Sequence, residues 1–338
     1  MRLLIDGRPL VGHRTGIGVH TAEIARRLAF DTLIASHAPI DDRERLEQLR
    51  FRVDRMPLGV LWQQLTLPRI DADVLWGPHG TLPLAWKKPS IVTLHDFSSI
   101  TMPLRHKVKT VLSFNLFIGA SLELASRVAC VSRVVADEAM RGFGVHASKI
   151  ELVPNGVDDF FTPGPVEANV DEEDYILFAG TLEPRKGVDD LIDAWRALAR
   201  PRPRLVLCGG IGWGKRIDEE NGIEQTGYVS RERLRELYRR ALVFVYPSHH
   251  EGFGIPPLEA MACGAPVIAT RTGAIPDYAE GAAMLVAPSN RDALRDAIAR
   301  VVRDRSLRAE LRARGPERAR AWRWERGASV MSDLIRAF

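Results

Sequence analysis

The chain has 338 residues, of which 46% are hydrophobic and 27% are charged, and its formal net charge is +4. This length is greater than one compact core usually takes and is sufficient for two domains. The excess of positive charge is small and both signs are mixed, which argues against a nucleic-acid-binding protein. The charge remains compatible with an anionic small molecule or an anionic lipid surface as a partner.

The cysteines and the start of the chain indicate the compartment. Cys130, Cys208 and Cys263 lie in or beside apolar runs and form no CxxC pair, so we expect reduced core residues. Residues 1–6 reach an acid after a short apolar run, which predicts a β-strand rather than a signal peptide. Because no run of about 18 apolar residues occurs, we expect no membrane span. We therefore expect a cytoplasmic protein that at most touches the inner face of the plasma membrane.

Short apolar runs alternate with helical patterns along the whole chain. Runs rich in Val, Ile and Leu without polar alternation are typical of strands that are covered on both faces. The predicted strands cover residues 2–6, 32–36, 73–76, 90–95, 128–132, 175–179, 204–208, 242–246 and 266–270. Helices are predicted at residues 20–29, 188–199 and 231–240. This alternation predicts an α/β protein with parallel sheets and right-handed crossovers.

Glycine, proline and asparagine interrupt the pattern at residues 154–158 and 162–165, and an acidic segment at 172–174 precedes the next predicted strand. We therefore predict two Rossmann-like domains, residues 1–160 and 161–320, each large enough for its own core. The Arg-rich tail continues as a predicted helix over residues 321–338. Its two tryptophans, Trp322 and Trp324, are expected to be packing anchors.

The strongest motif follows the predicted strand 242–246, at the strand end where ligands bind in open α/β sheets. Glu251 and Glu259 enclose a glycine-containing loop, and glycine allows the backbone to approach a ligand closely. Pro257 suits the first turn of a helix, whose amides and dipole favour a phosphate. The two carboxylates could accept hydrogen bonds from the hydroxyls of a ribose or hexose. Alternatively, Glu259 only complements the helix dipole and Glu251 is solvated.

Three further segments carry candidate residues. Arg185 and Lys186 follow the strand 175–179 and could neutralise a diphosphate leaving group, although a solvated pair at a helix start is the alternative. Gly16 and Gly18 lie between the first predicted strand and helix, where a plain tight turn is the alternative. His95 ends a buried strand and could orient a sugar hydroxyl or stabilise developing charge, although a lone histidine is often structural.

Together these segments resemble the retaining glycosyltransferases of family 4 and their E-x7-E signature. The resemblance spans nearly the whole chain and is strongest in EGFGIPPLEAMACGAPVIAT, residues 251–270. It implies the GT-B fold, in which two Rossmann-like domains with parallel sheets face each other across a cleft and a C-terminal helix crosses back to the first domain. It also implies transfer of a hexose from a nucleotide-diphosphate sugar with retention of configuration, without a metal ion or another cofactor.

The resemblance further implies that the first domain shapes the acceptor pocket and that the second holds the nucleotide sugar. It also implies roles for individual residues. Catalysis is assigned to His95, Glu251, Arg185 and Lys186. The implied donor-binding residues are Gly16, Gly18, Thr181, Tyr228, Val229, Gly252, Phe253, Gly254, Ile255 and Glu259. Glu259 would hold the donor ribose, Glu251 the transferred sugar, and Tyr228 and Val229 the base. Thr181 is a departure, because many family members carry an arginine there. No residue is expected to bind a metal, since the adjacent His249, His250 and Glu251 rarely converge on one ion.

The Gly-Ile-Pro-Pro-Leu-Glu form of the motif most resembles bacterial mannosyltransferases that use GDP-mannose for surface polysaccharides. The acceptor is expected to be a glycan or a polyprenyl-linked sugar. A UDP- or dTDP-sugar donor and a non-catalytic sugar-nucleotide-binding protein remain alternatives. The basic cluster at residues 105–109, with the apolar residues 111–118 that follow, could rest on anionic lipid or form a core helix with a solvated face.

Overall fold

The computed structural model describes residues 1–12, 15–41, 43–102, 108–164, 173–212 and 220–338. Within these ranges the chain forms two compact units. Unit 1 contains the described residues up to Asn155 together with residues 324–338, and unit 2 contains those from Gly156 to Arg323. The division therefore falls inside the Pro-Asn-Gly segment and leaves Trp322 and Trp324 in different units.

The described part of unit 1 contains a parallel sheet of seven strands in the order β3-β2-β1-β4-β5-β6-β7. The strands are β1 (Arg2–Asp6), β2 (Asp31–Ser36), β3 (Arg50–Val53), β4 (Val74–Gly77), β5 (Ser90–Leu94), β6 (Arg127–Cys130) and β7 (Ile150–Leu152). The strand order reverses between β1 and β4. Such a switch point leaves a crevice at the carboxyl ends of the strands, where ligands bind in open α/β sheets.

The helices of unit 1 include a late segment of the chain. They are α1 (Gly16–Ala25), α2 (Gly59–Leu65), α3 (Ser98–Thr101), α4 (Val108–Leu124), α5 (Arg133–Phe143) and α12 (Trp324–Arg336). Helix α12 packs on α1, and Gly327 permits this, because a Cβ there would lie 2.4 Å from the carbonyl oxygen of Pro154 and 3.2 Å from Ile24. Trp324 is buried at the start of α12. The predicted return of the last helix to the first domain is thus confirmed.

Unit 2 has, in the described residues, a parallel sheet of six strands in the order β10-β9-β8-β11-β12-β13. The strands are β8 (Glu173–Ala179), β9 (Arg204–Cys208), β10 (Ile223–Gly227), β11 (Ala241–Tyr246), β12 (Val267–Thr270) and β13 (Met284–Val286). The helices are α6 (Val188–Arg196), α7 (Arg231–Arg240), α8 (Ile255–Ala262), α9 (Ile275–Ala279), α10 (Arg291–Arg303) and α11 (Arg305–Ala319). The switch point of this sheet lies between β8 and β11.

The central strands are buried along their length, as their uninterrupted apolar sequences predict. All six residues of β11 and all five residues of β5 are buried, and the three cysteines are free and buried. Burial on both faces is typical of parallel sheets covered by helices. The predicted α/β class with two Rossmann-like parallel sheets is therefore confirmed.

Several element boundaries differ from the prediction, and two of the differences concern predicted features of the chain. Helix α1 begins at Gly16 rather than residue 20, because Thr15 caps it with its side chain accepting from Gly18 N at 3.2 Å. Gly18 is required there, since a Cβ would lie 2.6 Å from the carbonyl oxygen of Pro9. Gly16 and Gly18 thus lie in the first helical turn and not in a loop. In unit 2, β8 already begins at Glu173, so most of the predicted acidic linker at 172–174 is strand.

The residues proposed for lipid contact lie mostly beyond the part of the chain that the structure describes. Residues 105–107 of the basic cluster and the side chains of 108–114 are outside it. On the described end of α4, Leu116 is exposed and Ile118 is buried. None of the helices in the described ranges has both the length and the apolar character needed to span a bilayer.

Candidate functional site

In unit 2 the loops that follow β8 and β11 meet at the switch point of the sheet. Gly187, which has φ 67°, ends the first loop, and a Cβ there would lie 2.2 Å from the carbonyl oxygen of Pro247 in the second. The amide of His249 also donates to the carbonyl oxygen of Arg185 at 2.9 Å. These backbone contacts bring the predicted cationic pair against the loop that carries Glu251.

Glu251 is the centre of a buried polar cluster. Its side chain is only 8% exposed, and its Oε1 accepts hydrogen bonds from Lys186 Nζ at 2.6 Å, Ser248 Oγ at 2.7 Å and Tyr246 OH at 3.0 Å. Lys186 Nζ also donates to Tyr246 OH at 2.8 Å. Arg185 Nη1 lies 3.7 Å from the same carboxylate oxygen. The structure therefore brings three of the four predicted catalytic residues into one cluster.

Arg185 is anchored by two further groups. Its Nη1 donates to the carbonyl oxygen of His250 at 2.9 Å, and its Nη2 donates to Glu183 Oε1 at 2.9 Å. The arginine side chain is 11% exposed and that of Lys186 is 12% exposed. Both cations are therefore held in fixed positions at the edge of the buried cluster, and they are not solvated residues at a helix start.

The electrostatics of the cluster favour an ionised carboxylate. Burial alone would raise the pKa of Glu251, but the charges of Lys186 and Arg185 and the hydrogen bonds of Lys186 and Ser248 bring it below its usual value. Burial and the charge of Arg185 lower the pKa of Lys186, while Glu251 opposes this effect. Burial also raises the pKa of Tyr246 well above its usual value, so its hydroxyl keeps its proton.

The glycine-containing loop ends at the start of helix α8. Gly254, with φ 85°, precedes the helix, and a Cβ there would lie 2.8 Å from Ile275. Phe253 is buried and stacks on Tyr278, whose hydroxyl donates to the carbonyl oxygen of Gly254 at 2.5 Å. Gly252 and Ile255 are buried on either side. Residues of α9 therefore support this loop, and the first backbone amides of α8 lie at its end.

Glu259 has different neighbours from Glu251. It is the fifth residue of α8, beyond the first turn of the helix, and it is half-buried. Tyr238 OH donates to Glu259 Oε2 at 3.2 Å. Burial, together with the Glu259 charge, raises the pKa of Tyr238 well above its usual value. The tyrosine therefore remains a donor that orients one carboxylate oxygen of Glu259.

The residues predicted to face the base, Tyr228 and Val229, directly follow β10. Tyr228 is 54% exposed, and a Cβ on Gly210 would lie 2.2 Å from its ring, so the ring rests on that glycine. Val229 is half-buried. Thr181 lies near the neighbouring backbone, where a Cβ on Gly212 would be 2.9 Å from its methyl group. These three residues follow β8 and β10 at the carboxyl edge of the sheet.

His95 belongs to unit 1 and follows β5. Its Nε2 donates to the carbonyl oxygen of Pro78 at 2.9 Å, and its ring packs edge to face on His20 with 4.8 Å between centroids. Burial is the main cause that lowers the pKa of His95, to about 4. The ring is therefore neutral at neutral pH and has its Nδ1 lone pair available. Gly16 and Gly18 lie in the same unit, in the first turn of α1.

Sequence reasoning missed several residues that complete these sites. Tyr246 and Ser248 bind Glu251, Tyr238 binds Glu259, and Glu183 binds Arg185. Gly273 was also missed, although φ 55° and a Cβ position 2.4 Å from the carbonyl oxygen of Glu251 make it the support of that loop. Most of these residues lie close to a motif in the sequence, which could have indicated a role in the site. The sequence does not show in which direction their side chains point. Among the described residues, no group of three or more His, Cys, Asp or Glu side chains is arranged to hold a metal ion.

Known proteins are similar to this chain in sequence and in fold. Residues 14–159 match the family described as Glycosyltransferase Family 4, and residues 165–318 match Glycosyl transferases group 1. The chain is 30% identical over 369 aligned positions to the O-antigen chain mannosyltransferase B of Escherichia coli, covering 96% of this chain and 97% of the relative. It is 27% identical over 229 positions to the O-antigen chain mannosyltransferase RfbU of Salmonella typhimurium, covering 65% and 62% of the two chains.

A solved structure, Anabaena Alr3699/HepE in complex with UDP-glucose, matches the fold with a TM-score of 0.81 at 20% identity over the full length of both chains. The fold and the loops at its switch points thus define a glycosyltransferase enzyme of the GT-B class. Within that class the chain belongs to the family 4 glycosyltransferases and is similar to bacterial mannosyltransferases.

Proposed function

We propose that this enzyme transfers a hexose with retention of configuration from a nucleotide-diphosphate sugar, with GDP-mannose favoured, to a glycan or polyprenyl-linked acceptor. We further propose that it needs no metal ion or other cofactor. The two relatives named O-antigen mannosyltransferases support a mannose donor and a role in surface polysaccharide synthesis.

The observation that carries the proposal is the cluster of Glu251, Lys186 and Arg185. When the bond between the sugar and the diphosphate breaks, negative charge develops on the departing oxygen, and fixed N–H donors stabilise it without reorganisation. Lys186 gives two of its three ammonium N–H groups to Glu251 and Tyr246 and retains one for a ligand. The ionised Glu251 keeps the lysine charged and in place. The amides that open α8 add further donors for phosphate.

The resemblance to family 4 implies retention of configuration, and retention requires the acceptor to attack C1 on the face from which the diphosphate departs. The bond between the donor C1 and the diphosphate oxygen breaks, and its electron pair remains on the diphosphate. The acceptor hydroxyl oxygen bonds to C1 on the same face, and the departing phosphate oxygen takes the acceptor proton. Because the Oε1 of Glu251 already accepts three hydrogen bonds, we assign this residue to orienting Lys186 and the sugar rather than to nucleophilic attack.

A UDP- or dTDP-sugar donor is the second candidate, because the exposed Tyr228 and its neighbour Val229 can pack against any base. Thermal stabilisation separates the donors. Purified protein is heated without metal in the presence of GDP-mannose, GDP, UDP-glucose, UDP or dTDP. A ligand that binds the folded state raises the melting temperature when its concentration exceeds its dissociation constant. A shift with the guanine compounds alone supports the favoured donor. A shift only with UDP or dTDP compounds replaces it, and no shift with any compound refutes the proposal.

Turnover then tests the assignment of the cations. We expect Lys186→Met to lower the rate of sugar transfer by two or more orders of magnitude, as for the loss of a fixed donor to a developing anion. Arg303→Gln, a change of an exposed arginine elsewhere in unit 2, should leave the rate unchanged. Bound donor without transfer to any acceptor pool would instead support the non-catalytic alternative. Equal rates for Lys186→Met and the unsubstituted protein would contradict the role of the cluster.

Contact with an anionic membrane is part of the proposal, because a polyprenyl-linked acceptor would lie there. The support is the basic sequence at 105–109 and Leu116, which lies a few residues later in the chain and is exposed on α4. Flotation with vesicles containing one third phosphatidylglycerol should retain the protein, and vesicles of phosphatidylcholine alone should not. Equal recovery from both, or recovery from neither, would remove the membrane contact.

A further inference from the structure

His249 lies in the loop after β11, two residues before Glu251, and the transfer step does not use it. Its backbone amide donates to the carbonyl oxygen of Arg185 at 2.9 Å, and its side chain is only 8% exposed. A buried imidazole needs partners for its ring nitrogens, because burial removes the water that would otherwise bind them. The identity of these partners shows whether the ring only fills space or holds the loop in place.

Both ring nitrogens of His249 face polar groups from other elements of unit 2. Nδ1 is 2.8 Å from Ser289 Oγ, and Nε2 is 3.4 Å from Asp190 Oδ2. We assign a proton to Nε2, because that nitrogen faces a carboxylate, and the serine hydroxyl then donates to Nδ1. Asp190 is the third residue of α6, and Ser289 lies between β13 and α10. The ring therefore connects the loop after β11 to two other parts of the unit.

Asp190 is itself fixed in orientation. It is buried, and Arg291 on α10 donates from Nε to its Oδ1 at 2.6 Å. Nη1 of the same arginine donates to Asp193, one turn further along α6, at 3.0 Å. An acid in the first turn of a helix also complements the helix dipole, which is the alternative explanation for Asp190. The dipole does not select a direction for the carboxylate, whereas here Oδ1 meets the arginine and Oδ2 faces His249.

The backbone at Ser289 supports the same interpretation. Its φ is 61°, and it is the one residue other than glycine with a positive φ in the described ranges. A residue with a Cβ is strained in this region, and the strain persists only where other contacts offset it. The hydrogen bond to His249 Nδ1 is such a contact. A strained serine directed at the histidine indicates that this hydrogen bond is part of how the loop is held.

These contacts meet at the turn that carries the two cations. Gly187 ends that turn and directly precedes α6, so Asp190 lies only three residues beyond it. The His249 amide binds the carbonyl oxygen of Arg185 within the turn, while the His249 ring faces the helix that follows. The turn is therefore held on both sides by one residue. A displaced His249 would release the backbone on which Lys186 depends for its position beside the glutamate.

We propose that His249 is a positioning residue for sugar transfer, which fixes the turn of Arg185 and Lys186 through its contacts with Asp190 and Ser289. The inference rests on the proposed function, because it concerns the cations assigned to the departing diphosphate. Fixed donors stabilise developing charge because they need no reorganisation during the reaction. A bound diphosphate is already charged, and cations that move with it can still hold it. Loss of the anchor should therefore lower kcat more than it weakens donor binding.

The test compares turnover with donor affinity in the full chain. Turnover is measured as release of GDP from saturating GDP-mannose with octyl α-mannoside present, so that transfer and hydrolysis both count, and affinity is measured by calorimetry. UDP-glucose replaces GDP-mannose if thermal stabilisation selects it. We expect His249→Ala to lower kcat about tenfold or more and to change the dissociation constant less than about threefold. His249→Gln, whose amide reaches the place of Nε2, should recover most of the rate, and the shorter His249→Asn should recover less.

Two neighbouring acids of α6 supply a matched comparison. Asp190→Asn should lower kcat in the otherwise unsubstituted protein and add little to the loss in His249→Ala, because both changes remove one interaction. Asp189→Asn, a change of the exposed acid beside it, should leave kcat and the dissociation constant unchanged. Urea unfolding identifies the variants that fold. If His249→Ala does not fold, the difference between His249→Gln and His249→Asn decides in its place.

Three results would overturn the proposal. They are an unchanged kcat in folded His249→Ala, fully additive losses on combining it with Asp190→Asn, and a loss of donor affinity as large as the loss of rate. In the last case His249 would only maintain the fold of the loop. Equal rates for His249→Gln and His249→Asn would likewise exclude the contact with Asp190. An unsubstituted protein that neither binds nor cleaves any sugar nucleotide would instead refute the proposed function itself.

Discussion

His20 determines how unit 1 responds to acid. Its ring is fully buried, Nδ1 donates to Asn155 Oδ1 at 2.7 Å, and Nε2 has no hydrogen-bond partner. Burial, followed by the proximity of His95, lowers its pKa from 6.5 to about 3. The folded protein therefore leaves His20 neutral at pH 5, whereas the unfolded chain takes up the proton. Stability that is fully present above pH 6.5 is lost as the pH falls towards 3.

The magnitude follows from linkage. A pH of 5 is about 1.5 units below the pKa of His20 in the unfolded chain, and each unit changes the free energy of unfolding by about 1.36 kcal/mol. His20 should therefore remove about 2 kcal/mol of unfolding free energy between pH 7.5 and pH 5. This number hardly depends on the folded pKa as long as it stays well below 5. It is a substantial part of the free energy of unfolding of an ordinary domain, which is about 5–15 kcal/mol.

The assay is urea unfolding followed by tryptophan fluorescence at pH 7.5 and pH 5 in three proteins. His20→Asn keeps an N–H donor for Asn155 but cannot titrate, so its loss of stability between the two pH values should be about 2 kcal/mol smaller. The exposed His146 is the control, and His146→Asn should behave as the unsubstituted protein. The lost ring will lower stability at both pH values alike. Equal pH sensitivity in His20→Asn and the unsubstituted protein would refute the reasoning, because His20 would then be protonated in the folded state.

Three further predictions concern unit 2. Gly187→Ala should lower its unfolding free energy by several kcal/mol in urea titration, because a Cβ would lie 2.2 Å from the carbonyl oxygen of Pro247 and φ is 67°; an effect below about 0.5 kcal/mol would contradict the close approach. Tyr238→Phe should weaken sugar-nucleotide binding about fivefold in calorimetry, because Glu259 loses its orienting donor, and unchanged affinity would separate Glu259 from the donor. The pKa of Glu251 is lower in the folded protein than its usual value of 4.5. The ion pair of Glu251 should therefore stabilise the fold fully above pH 4.5, and this contribution should be lost as the pH falls through the lower pKa of the folded state. Glu251→Gln should remove that acid dependence from urea titrations.

The fold could be predicted from the sequence where burial dominates. The interiors of β1 and β8 and the whole of β11 are uninterrupted apolar runs, because helices cover both faces of each sheet. Edge strands were missed for the opposite reason. The strand β3 reads Arg-Phe-Arg-Val and is exposed on part of its surface, and β10 reads Ile-Glu-Gln-Thr-Gly. Such strands form because their backbone hydrogen-bonds to a neighbouring strand, and the local amino-acid composition does not reveal this pairing.

Glycines misled the prediction of α1. Gly16 and Gly18 indicated a loop, but Thr15 caps a helix there and Gly18 serves the close approach of Pro9. A glycine in sequence does not distinguish conformational freedom from the need for space, because both remove the Cβ.

The position of the candidate site in unit 2 could be predicted from the sequence, but the hydrogen bonds and ion pairs between its side chains could not. The motif located Arg185, Lys186 and Glu251 at strand ends, and parallel topology places such ends on one edge. Their direct ion pairs and the donors Tyr246 and Ser248 depend on side-chain directions, which only the three-dimensional structure supplies.

The return of α12 to unit 1 has a consequence for biosynthesis. Ribosomes release a chain from its amino end, and domains usually fold in that order as they emerge. Here α1 receives its partner helix only after all of unit 2 has been translated, because residues 156–323 intervene. Unit 2 can therefore mature first, while the surface of α1 around Ile24 remains uncovered. A ribosome that stalls before Trp324 would release a folded second half attached to an unfinished first half, which is a natural target for chaperones and proteases.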